Sequence, residues 1–431
     1  MIATVTATET HRAIEAVWRI ESAKLIAGLT RLVGDVGLAE DLAQDALVAA
    51  LERWPESGIP DKPAAWLMAT AKHRALDQLR RGKMLDRKHV QVGHEMEIRQ
   101  EAAPDLDAAL DDDIGDDLLR LMFMACHPVL STEARVALTL RLVGGLTTAE
   151  IARAFLVPEP TIAQRIVRAK RTLAEAKVPF EVPRGAELQS RLSSVTGVLY
   201  LVFNEGYSAT AGDDWMRPQL CEEALRLGRI LAELAPGEPE VHGLVALMEI
   251  QASRLRARVG PSGEPILLLD QDRARWDHLL IRRGLAALSR AEALGGTQGP
   301  YALQAAIAAC HARAPVAEDT DWSRIAALYD QLARLTPSPV IELNRAVAVG
   351  MAYGPEAGLE LADRLVSERA LEGYHLLPAV RGDLLGKLGR GEEARIEFER
   401  AAGLTRNARE RELLLQRAAE SGARSSAHAA S

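Results

Sequence analysis

Apolar residues recur every three or four positions through most of the chain, and this period predicts helices. One clear case begins at Ser131, which is a good helix N-cap. Val136, Leu140 and Val143 then share one face, and a Gly-Gly pair follows that can end the helix. The pattern therefore predicts a short amphipathic helix directly after Ser131.

Two more helices are predicted immediately downstream. Thr147 and Glu150 have the spacing of a capping box, and Pro158 and Pro160 fit the first turn of the helix after it. That last helix divides into an apolar stripe of Ile162, Ile166, Ala169 and Leu173, and a polar side of Thr161, Gln164, Arg165, Arg168 and Arg171. Two helices joined by a tight corner, the second one basic, are typical of a helix-turn-helix that binds DNA. The alternative is an ordinary surface helix with solvated charges.

A second pair of helices, upstream, separates acid from base. The first is predicted to turn Leu42, Ala46, Ala49 and Ala50 inward and to expose Asp41, Gln44, Asp45 and Glu52. The second is predicted to bury Trp66, Leu67, Ala71, Leu76 and Leu79 and to expose Lys72, His73, Arg74, Asp77, Arg80 and Arg81. An acidic helix suits a protein partner, whereas a basic one suits a phosphate backbone.

Composition extends the helical prediction to the whole chain. Ala and Leu dominate the 431 residues, aromatic residues make up 4%, and β-branched runs are sparse, so we expect an all-α fold. No apolar run reaches the roughly 18 residues that a membrane span needs, and the N-terminus lacks the pattern of a signal peptide. We therefore expect a cytoplasmic protein with no membrane partner.

The cysteines give no indication of a disulfide framework or a metal centre. Cys126, Cys221 and Cys310 are far apart and odd in number, which fits a reducing compartment. No Cys or His grouping has the spacing of a zinc site. We predict structural cysteines, with neither metal nor cofactor.

Charge is strongly segregated along the chain, although the net charge is -8. Residues 72–88 contain seven Lys or Arg and two Asp, whereas residues 95–117 contain ten Asp or Glu and one Arg. Because electrostatic interactions between exposed charges are screened over about 8–10 Å, the local charge decides what each segment binds. The acidic chain therefore does not exclude DNA binding.

Prolines and charge runs indicate where the domains end. We expect a helical domain at 10–85, an acidic linker at 86–115, the helix-turn-helix domain at 116–178, a large helical domain at 188–415 and a disordered tail at 416–431. In the large domain, similar helices begin near Ile325, Ala357 and Ala394, the last with an Ala394, Phe398 and Ala401 pattern. Their spacing is close to the tetratricopeptide period of 34 residues. The alternative is an irregular helical bundle.

Both N-terminal regions resemble sigma-70 class sigma factors in their small extracytoplasmic-function form. Ala39 to Asp45, Trp54, Trp66-Leu67, Asp77 and Arg80-Arg81 match the region 2 pattern. Gly145-Leu146-Thr147, Glu150-Ile151-Ala152, Thr161 to Arg165 and Lys170 match region 4. Several segments between residues 196 and 359 together resemble the subgroup with a long tetratricopeptide-like extension.

The resemblance implies a role for each set of residues. Asp41, Gln44 and Asp45 would bind the β′ clamp helices of core RNA polymerase, and region 4 would meet its β flap. The minus-10 element of promoter double-stranded DNA would be bound by Lys72, His73, Arg74, Asp77, Arg80 and Arg81. The minus-35 element would be bound by Glu150, Thr161, Gln164, Arg165, Arg168, Lys170 and Arg171.

Four positions depart from the family pattern: His73 replaces the usual Asn, Thr70 the usual Ile, Pro160 the usual Gly and Gln164 the usual Ser. These departures affect the promoter sequence that is expected, and leave the class of protein unchanged. Trp54 and Trp66 fit either wedges that open DNA or core residues, and the latter is the simpler interpretation.

The sequence thus predicts a sigma factor that binds core RNA polymerase and directs promoter-specific initiation, with no catalytic centre. Its extension would control that activity through a regulatory protein or a ligand. The alternative is a stand-alone helix-turn-helix regulator with a tetratricopeptide-like sensor domain. Two polar clusters, at residues 204–207 and 270–277, are expected to hold the loops between helices in place, since their spacing fits no catalytic signature.

Overall fold

The computed structural model describes residues 7–90, 114–155, 157–209, 211–369 and 371–429, and these residues are almost entirely helical. The all-α prediction is therefore confirmed. The chain forms two compact units, Met1–Leu199 and Tyr200–Ser431. Most of the predicted acidic linker lies outside the described residues. No described helix is both long enough and apolar enough to cross a membrane.

The first unit is built from two helical groups. Its helices are α1 Ala7–Val33, α2 Val36–Ser57, α3 Pro63–Val90, α4 Ile114–Ala125, α5 Thr132–Leu142, α6 Thr148–Phe155, α7 Glu159–Glu175 and the first part of α8 Ala186–Tyr207. Helices α1, α2 and α3 pack on one another, α4 packs on α1, and α5, α6 and α7 form the second group. Asp35 starts α2 by accepting a hydrogen bond from the amide of Leu38 at 2.8 Å.

The core of the first group follows most of the predicted stripes, but Trp66 is only partly buried. Leu42, Leu67 and Ala71 are buried, as predicted, but Leu76 is 40% exposed. The buried stripe of α3 continues from Ala71 to Ala75, one turn further on, and Leu76 lies about 100° around the helix from Ala75. The prediction that Leu76 is buried was therefore wrong, and the side chain of Leu79 lies outside the described residues.

The boundary of the first unit lies further along the chain than the sequence predicted. Residues 188–199 were assigned to the large C-terminal domain, but they pack within the first unit. The Arg191 guanidinium donates to the Phe123 carbonyl at 3.0 Å, and the Ser194 hydroxyl donates to the Cys126 carbonyl at 2.6 Å. Since carbonyls at a helix C-terminus lack partners within the helix, these two donors complete the end of α4.

The second unit is a series of helices in which, from α9 onward, each packs on the next. They are the rest of α8, α9 Pro218–Leu234, α10 Pro239–Ala252, α11 His278–Ala293, α12 Pro300–Arg313, α13 Trp322–Leu335, α14 Pro339–Tyr353, α15 Pro355–Ser367, α16 Leu376–Lys387, α17 Gly391–Leu404 and α18 Ala408–Ala429. Short 3-10 turns lie at Leu255–Ala257, Leu268–Asp270, Arg273–Arg275 and Ala317–Asp319.

The predicted repeat has a different register in α15. Ala357 and Leu361 are only partly buried, whereas Gly358, Ala362 and Leu365 form the buried stripe. A Cβ at Gly358 would lie 2.7 Å from the Ala346 carbonyl oxygen, so the close approach of α14 requires glycine there. The buried face therefore follows the glycine contact, one residue away from the predicted face.

Two short strands connect the beginning of the second unit to its end. Strand β1, Ala211–Gly212, pairs in parallel with β2, Arg406–Asn407. The buried Asn407 amide donates to the carbonyls of Ala209 and Asp214, at 3.2 and 2.8 Å.

Helix α18 then continues past residue 415, where the sequence predicted a disordered tail to begin. Ala418 is buried one turn after the buried Leu414, and Arg417 pairs with Asp383. The prediction of a disordered tail was therefore wrong for this part of α18, because its apolar stripe continues into it.

Candidate functional site

The candidate DNA-binding helix is α7, and its inner side is fixed by an apolar stripe. Pro158 occupies the N-cap position and Pro160 lies in the first turn, where a missing amide has no cost to the helix. The inner side consists of the predicted residues Ile162, Ile166, Ala169 and Leu173, all of them buried. This stripe anchors α7 on α5 and α6 and turns its other side outward.

The outer side of α7 carries most of the residues predicted to contact the minus-35 element. Thr161, Gln164 and Arg168 are exposed, and Arg165 is partly exposed. Arg171 is also exposed, and its Nε lies 2.6 Å from the Glu175 carboxylate. These side chains form a continuous polar surface along one helix.

The sequence patterns did not identify one exposed apolar residue on this side of α7. Val167 is 64% exposed, between Gln164 and Arg168 on the outer side of α7. An exposed apolar side chain on a DNA-binding helix can contact the methyl group of thymine. Its position three residues after Gln164 was a signal that could have identified it.

Glu150 has a structural role in the first turn of α6. Its carboxylate accepts from the Thr147 amide at 2.7 Å and from the Thr147 hydroxyl at 2.8 Å. In return, the Glu150 amide donates to the Thr147 hydroxyl at 3.1 Å. This is the predicted capping box, and it occupies the carboxylate that was also predicted to contact DNA.

The acidic side of α2 and the basic side of α3 meet at the ion pair of Asp45 and Arg74. Asp41 and Asp45 are exposed, and Arg74 lies 3.2 Å from the Asp45 carboxylate. Gln44 donates to the Glu40 carboxylate of its own helix at 2.7 Å. Two residues that were assigned to different partners, Asp45 for the polymerase and Arg74 for DNA, are therefore neighbours.

The remaining candidates on α3 lie on or beside that face. His73 and Asp77 are exposed and Lys72 is partly buried, whereas the side chains of Arg80 and Arg81 lie outside the described residues. Trp54 is 2% exposed and packs edge-to-face against Trp66, with 5.3 Å between the ring centroids. The contact places Trp54 in the core of the first helical group.

A buried carboxylate on α2 holds the second helical group. Glu40 is 3% exposed, and its Oε1 accepts from the Arg141 Nε at 2.6 Å. Its Oε2 forms an ion pair with Lys170, a predicted DNA-contacting residue on α7. We call these three residues the Glu40 clamp, which engages the ammonium group of Lys170 in this conformation.

The Glu40 clamp was not predicted, although a sequence signal existed. Glu40 lies on the face of α2 that also carries Val36 and Ala43, and a charged residue on a buried face needs a partner. Burial by itself would raise the pKa of the Glu40 carboxyl, but Lys170 and Arg141 outweigh this and lower the pKa below its ordinary value. The carboxylate is therefore ionised at neutral pH.

The polar clusters of the second unit hold loops in place. Glu205 pairs with Arg217, and Asp277 caps α11 by accepting from the amides of Leu279 and Leu280. The Arg273 guanidinium donates to the carbonyl of His311, in the last turn of α12, and to that of Ala314, directly after the helix, the latter at 2.7 Å. In the described part of the chain, no group of three His, Cys, Asp or Glu could hold a metal ion.

The three cysteines are buried free thiols. Burial raises the pKa of Cys126 to about 11 and that of Cys221 to about 12, so both remain protonated at neutral pH. A protonated, buried thiol is a packing residue, because the thiolate is the form that reacts and binds metals.

Three known families match consecutive parts of the chain. Residues 21–84, which include α2, match sigma-70 region 2, and residues 120–173, which include α5 and α6, match sigma-70 region 4. Residues 191–292 match a family of unknown function, DUF6596. The two sigma regions thus coincide with the two helical groups of the first unit.

Similar proteins agree with these matches. An uncharacterized protein of Rhizobium meliloti (strain 1021) is 45% identical over 384 residues, 89% of each chain. The probable ECF RNA polymerase sigma factor SigI of Mycobacterium tuberculosis is 27% identical over 40% of this chain and 58% of its own length. The ECF RNA polymerase sigma factor SigL of the same organism is 30% identical over 33% of this chain and 76% of its own length.

Proposed function

We propose that this protein binds core RNA polymerase and directs initiation at a specific class of promoters. The chain belongs to the extracytoplasmic-function type of sigma factor and to one family with the Rhizobium meliloti protein. The observation that carries the proposal is the combination of both sigma regions, in order, in one compact unit. The chain contributes recognition to the reaction and no catalytic group of its own. A regulator that used only the helix-turn-helix would leave the region 2 match without a role.

The first helical group supplies the polymerase contact and the minus-10 contact. Asp41, Gln44 and Asp45 on α2 bind the β′ clamp helices. On α3, the minus-10 residues are Lys72, His73, Arg74, Asp77, Arg80 and Arg81. Support comes from the exposed acidic positions of α2 and from the basic run of residues 72–88.

The second helical group supplies the minus-35 contact and meets the β flap. Gln164 and Arg165, near the N-terminus of α7, are placed to contact base edges in the major groove, whereas Arg168, Lys170 and Arg171 meet phosphates. Thr161 adds a hydroxyl at the start of the helix, and Glu150 supports the contact by holding α6 in position. Lys170 reaches DNA only after it leaves the Glu40 clamp.

The second unit regulates this activity by binding a partner or a ligand. Its helices pack in series, each on its neighbours, which supports a tetratricopeptide-like array. Such arrays present extended surfaces to partners. In the described polar clusters, Glu205 pairs with Arg217, and Asp272 and Asp277 accept from backbone amides, which supports a structural role for these carboxylates.

Transcription with purified components tests the proposal. Core RNA polymerase and the full chain first select duplexes from a random DNA library, and the selected duplex then serves as the template. We expect transcripts from one start site that require both the protein and core polymerase. An Asp41→Ala/Gln44→Ala variant should lose transcription while its melting temperature stays unchanged, and an Arg282→Ala variant, which changes an exposed residue of the second unit, should behave as the wild type. Transcription that does not depend on the protein would refute the proposal.

A further inference from the structure

A cavity of about 250 Å³ lies within the second unit, between α8, α10, α12, α13 and α14. Phe203, Leu247 and Ile307 form part of its wall, so one portion is apolar. The volume is below the roughly 300–1,000 Å³ of pockets for drug-sized molecules, and a small metabolite would fill it.

A buried cation lines this cavity without a counterion. Arg254 is 7% exposed, and no carboxylate of the described residues forms an ion pair with it. The titratable groups that act on it are two tyrosines and two further cations, Arg258 and Arg273. Its Nε has no hydrogen-bond partner, and its remaining contacts are with Gln251 and the ring faces of Tyr207 and Trp276. Burying a cation without an anion is costly, so the site is incomplete as it stands.

A second residue that lines the same cavity has a polar atom without a hydrogen-bond partner. His311 is 7% exposed, and its Nδ1 has no hydrogen-bond partner. Burial, together with Arg254 and Arg273, lowers the pKa of His311 to about 3, so the ring is neutral and offers one donor and one acceptor. Burial also raises the pKa of Tyr329 to about 12, which keeps its hydroxyl protonated as a donor.

We propose that this cavity binds a small organic anion, whose carboxylate or phosphate group pairs with Arg254 and hydrogen-bonds to His311, and whose apolar body lies against Phe203, Leu247 and Ile307. A planar guanidinium binds either anionic group through two parallel hydrogen bonds. The exposed Asn344 lies on the wall, at the solvent-facing side of the cavity. That such binding controls transcription rests on the proposed function, whereas binding itself does not.

Calorimetric titration of the full chain tests the inference, with benzoate and phenyl phosphate as probes and benzamide as the neutral counterpart. We expect saturable binding of at least one anion, a higher melting temperature in its presence, and no binding of benzamide. Saturation by neither anion, or equal binding of benzamide, would overturn the inference. Because the titration contains no polymerase, failure of the proposed function leaves its result unchanged.

Variants locate the bound anion. Arg254→Gln should weaken binding by at least about tenfold, whereas Arg256→Gln, at an exposed arginine two residues away, should bind as the wild type. Should Arg254→Gln fail to fold, Asn344→Asp adds a negative charge on the exposed wall and should also weaken binding, with the exposed Gln298→Glu as its matched control. Anion binding that both Arg254→Gln and Asn344→Asp leave unchanged would mean that Arg254 only packs against Tyr207 and Trp276.

Discussion

At the scale of single residues, Glu40 links two functions that the sequence presents as separate. It lies in α2 beside the predicted polymerase contacts, and it holds Lys170 of the predicted DNA-binding helix. Both basic partners are about one-fifth exposed, whereas the carboxylate is buried. A buried charge with two partners stabilises its surroundings mainly because removing it leaves those partners unpaired.

We therefore expect Glu40→Gln to lower the free energy of unfolding by about 1–3 kcal/mol. The pKa of Glu40 is lowered in the folded protein, so its contribution is present above the unfolded pKa of about 4.5 and is lost as the pH falls through the lower folded pKa. The difference between wild type and variant, measured by urea unfolding, should thus shrink below pH 4.5. The exposed Glu52→Gln is the matched control, and a difference that persisted in acid would contradict the ion-pair explanation.

Glu150 allows a structural role to be separated from a DNA contact. Glu150→Ala removes the capping box and should cost about 1 kcal/mol of stability. Glu150→Gln retains an acceptor for the Thr147 amide and should recover most of that loss. Urea unfolding measures both variants, and equal stability of the two would argue against the capping role. A change of base preference in Glu150→Gln at unchanged stability would assign the carboxylate to DNA.

At the scale of secondary-structure elements, the helices could be predicted from sequence but not all of their partners. The stripe of Ile162, Ile166, Ala169 and Leu173 predicted which side of α7 is buried, since apolar spacing is local information. Leu76 was misplaced because α3 carries apolar residues at both 75 and 76, and packing decides between them. The unpaired Arg254 left no local signal at all, because its lack of a counterion depends on residues from five helices.

The outer side of α7 should divide into base contacts and phosphate contacts. Arg168→Ala should weaken binding of the protein–polymerase complex to all promoters alike. It should also make the slope of the logarithm of the binding constant against the logarithm of salt concentration less steep by about one. Gln164→Ala should instead relax the preference at one base pair, by about 1–3 kcal/mol. Binding titrations at several salt concentrations, on a set of single-base promoter variants, distinguish the two. The same titrations with Arg282→Ala are the control. The same change in salt dependence and in base preference for Arg168→Ala and Gln164→Ala would contradict the separation into phosphate and base contacts.

At the scale of the whole molecule, the order of the two sigma regions was predictable from the sequence, but the end of the first unit was not. Prolines near residue 180 marked a break in helical patterning, and the structural unit extends beyond them to residue 199. Arg191 and Ser194 donate hydrogen bonds to the carbonyls of Phe123 and Cys126, and each donor lies 68 residues from its acceptor in the sequence. Sequence periodicity carries no information on contacts of that kind.

This boundary determines how the second unit should be removed. We expect a chain of residues 1–177 to be less stable than one of residues 1–199, because the shorter one leaves the two carbonyls at the end of α4 without donors. Thermal unfolding of the two chains measures the difference, and Arg191→Ala in the longer chain should reproduce part of it. Equal melting temperatures would show that residues 178–199 contribute nothing to the stability of the first unit. Comparison of transcription by the full chain and by residues 1–199 then reports the effect of the second unit alone.

The contact of Asn407 with Ala209 and Asp214 has a consequence for synthesis of the protein. The amide and its first acceptor are separated by 198 residues, so this contact forms only after residue 407 has been translated. At about 5–20 residues per second, that interval is about 10–40 s. During this interval the first unit has been fully translated, whereas the contact of Asn407 with Ala209 and Asp214 in the second unit has not yet formed. A ribosome that stopped before Asn407 would release the recognition helices together with an unclosed second unit.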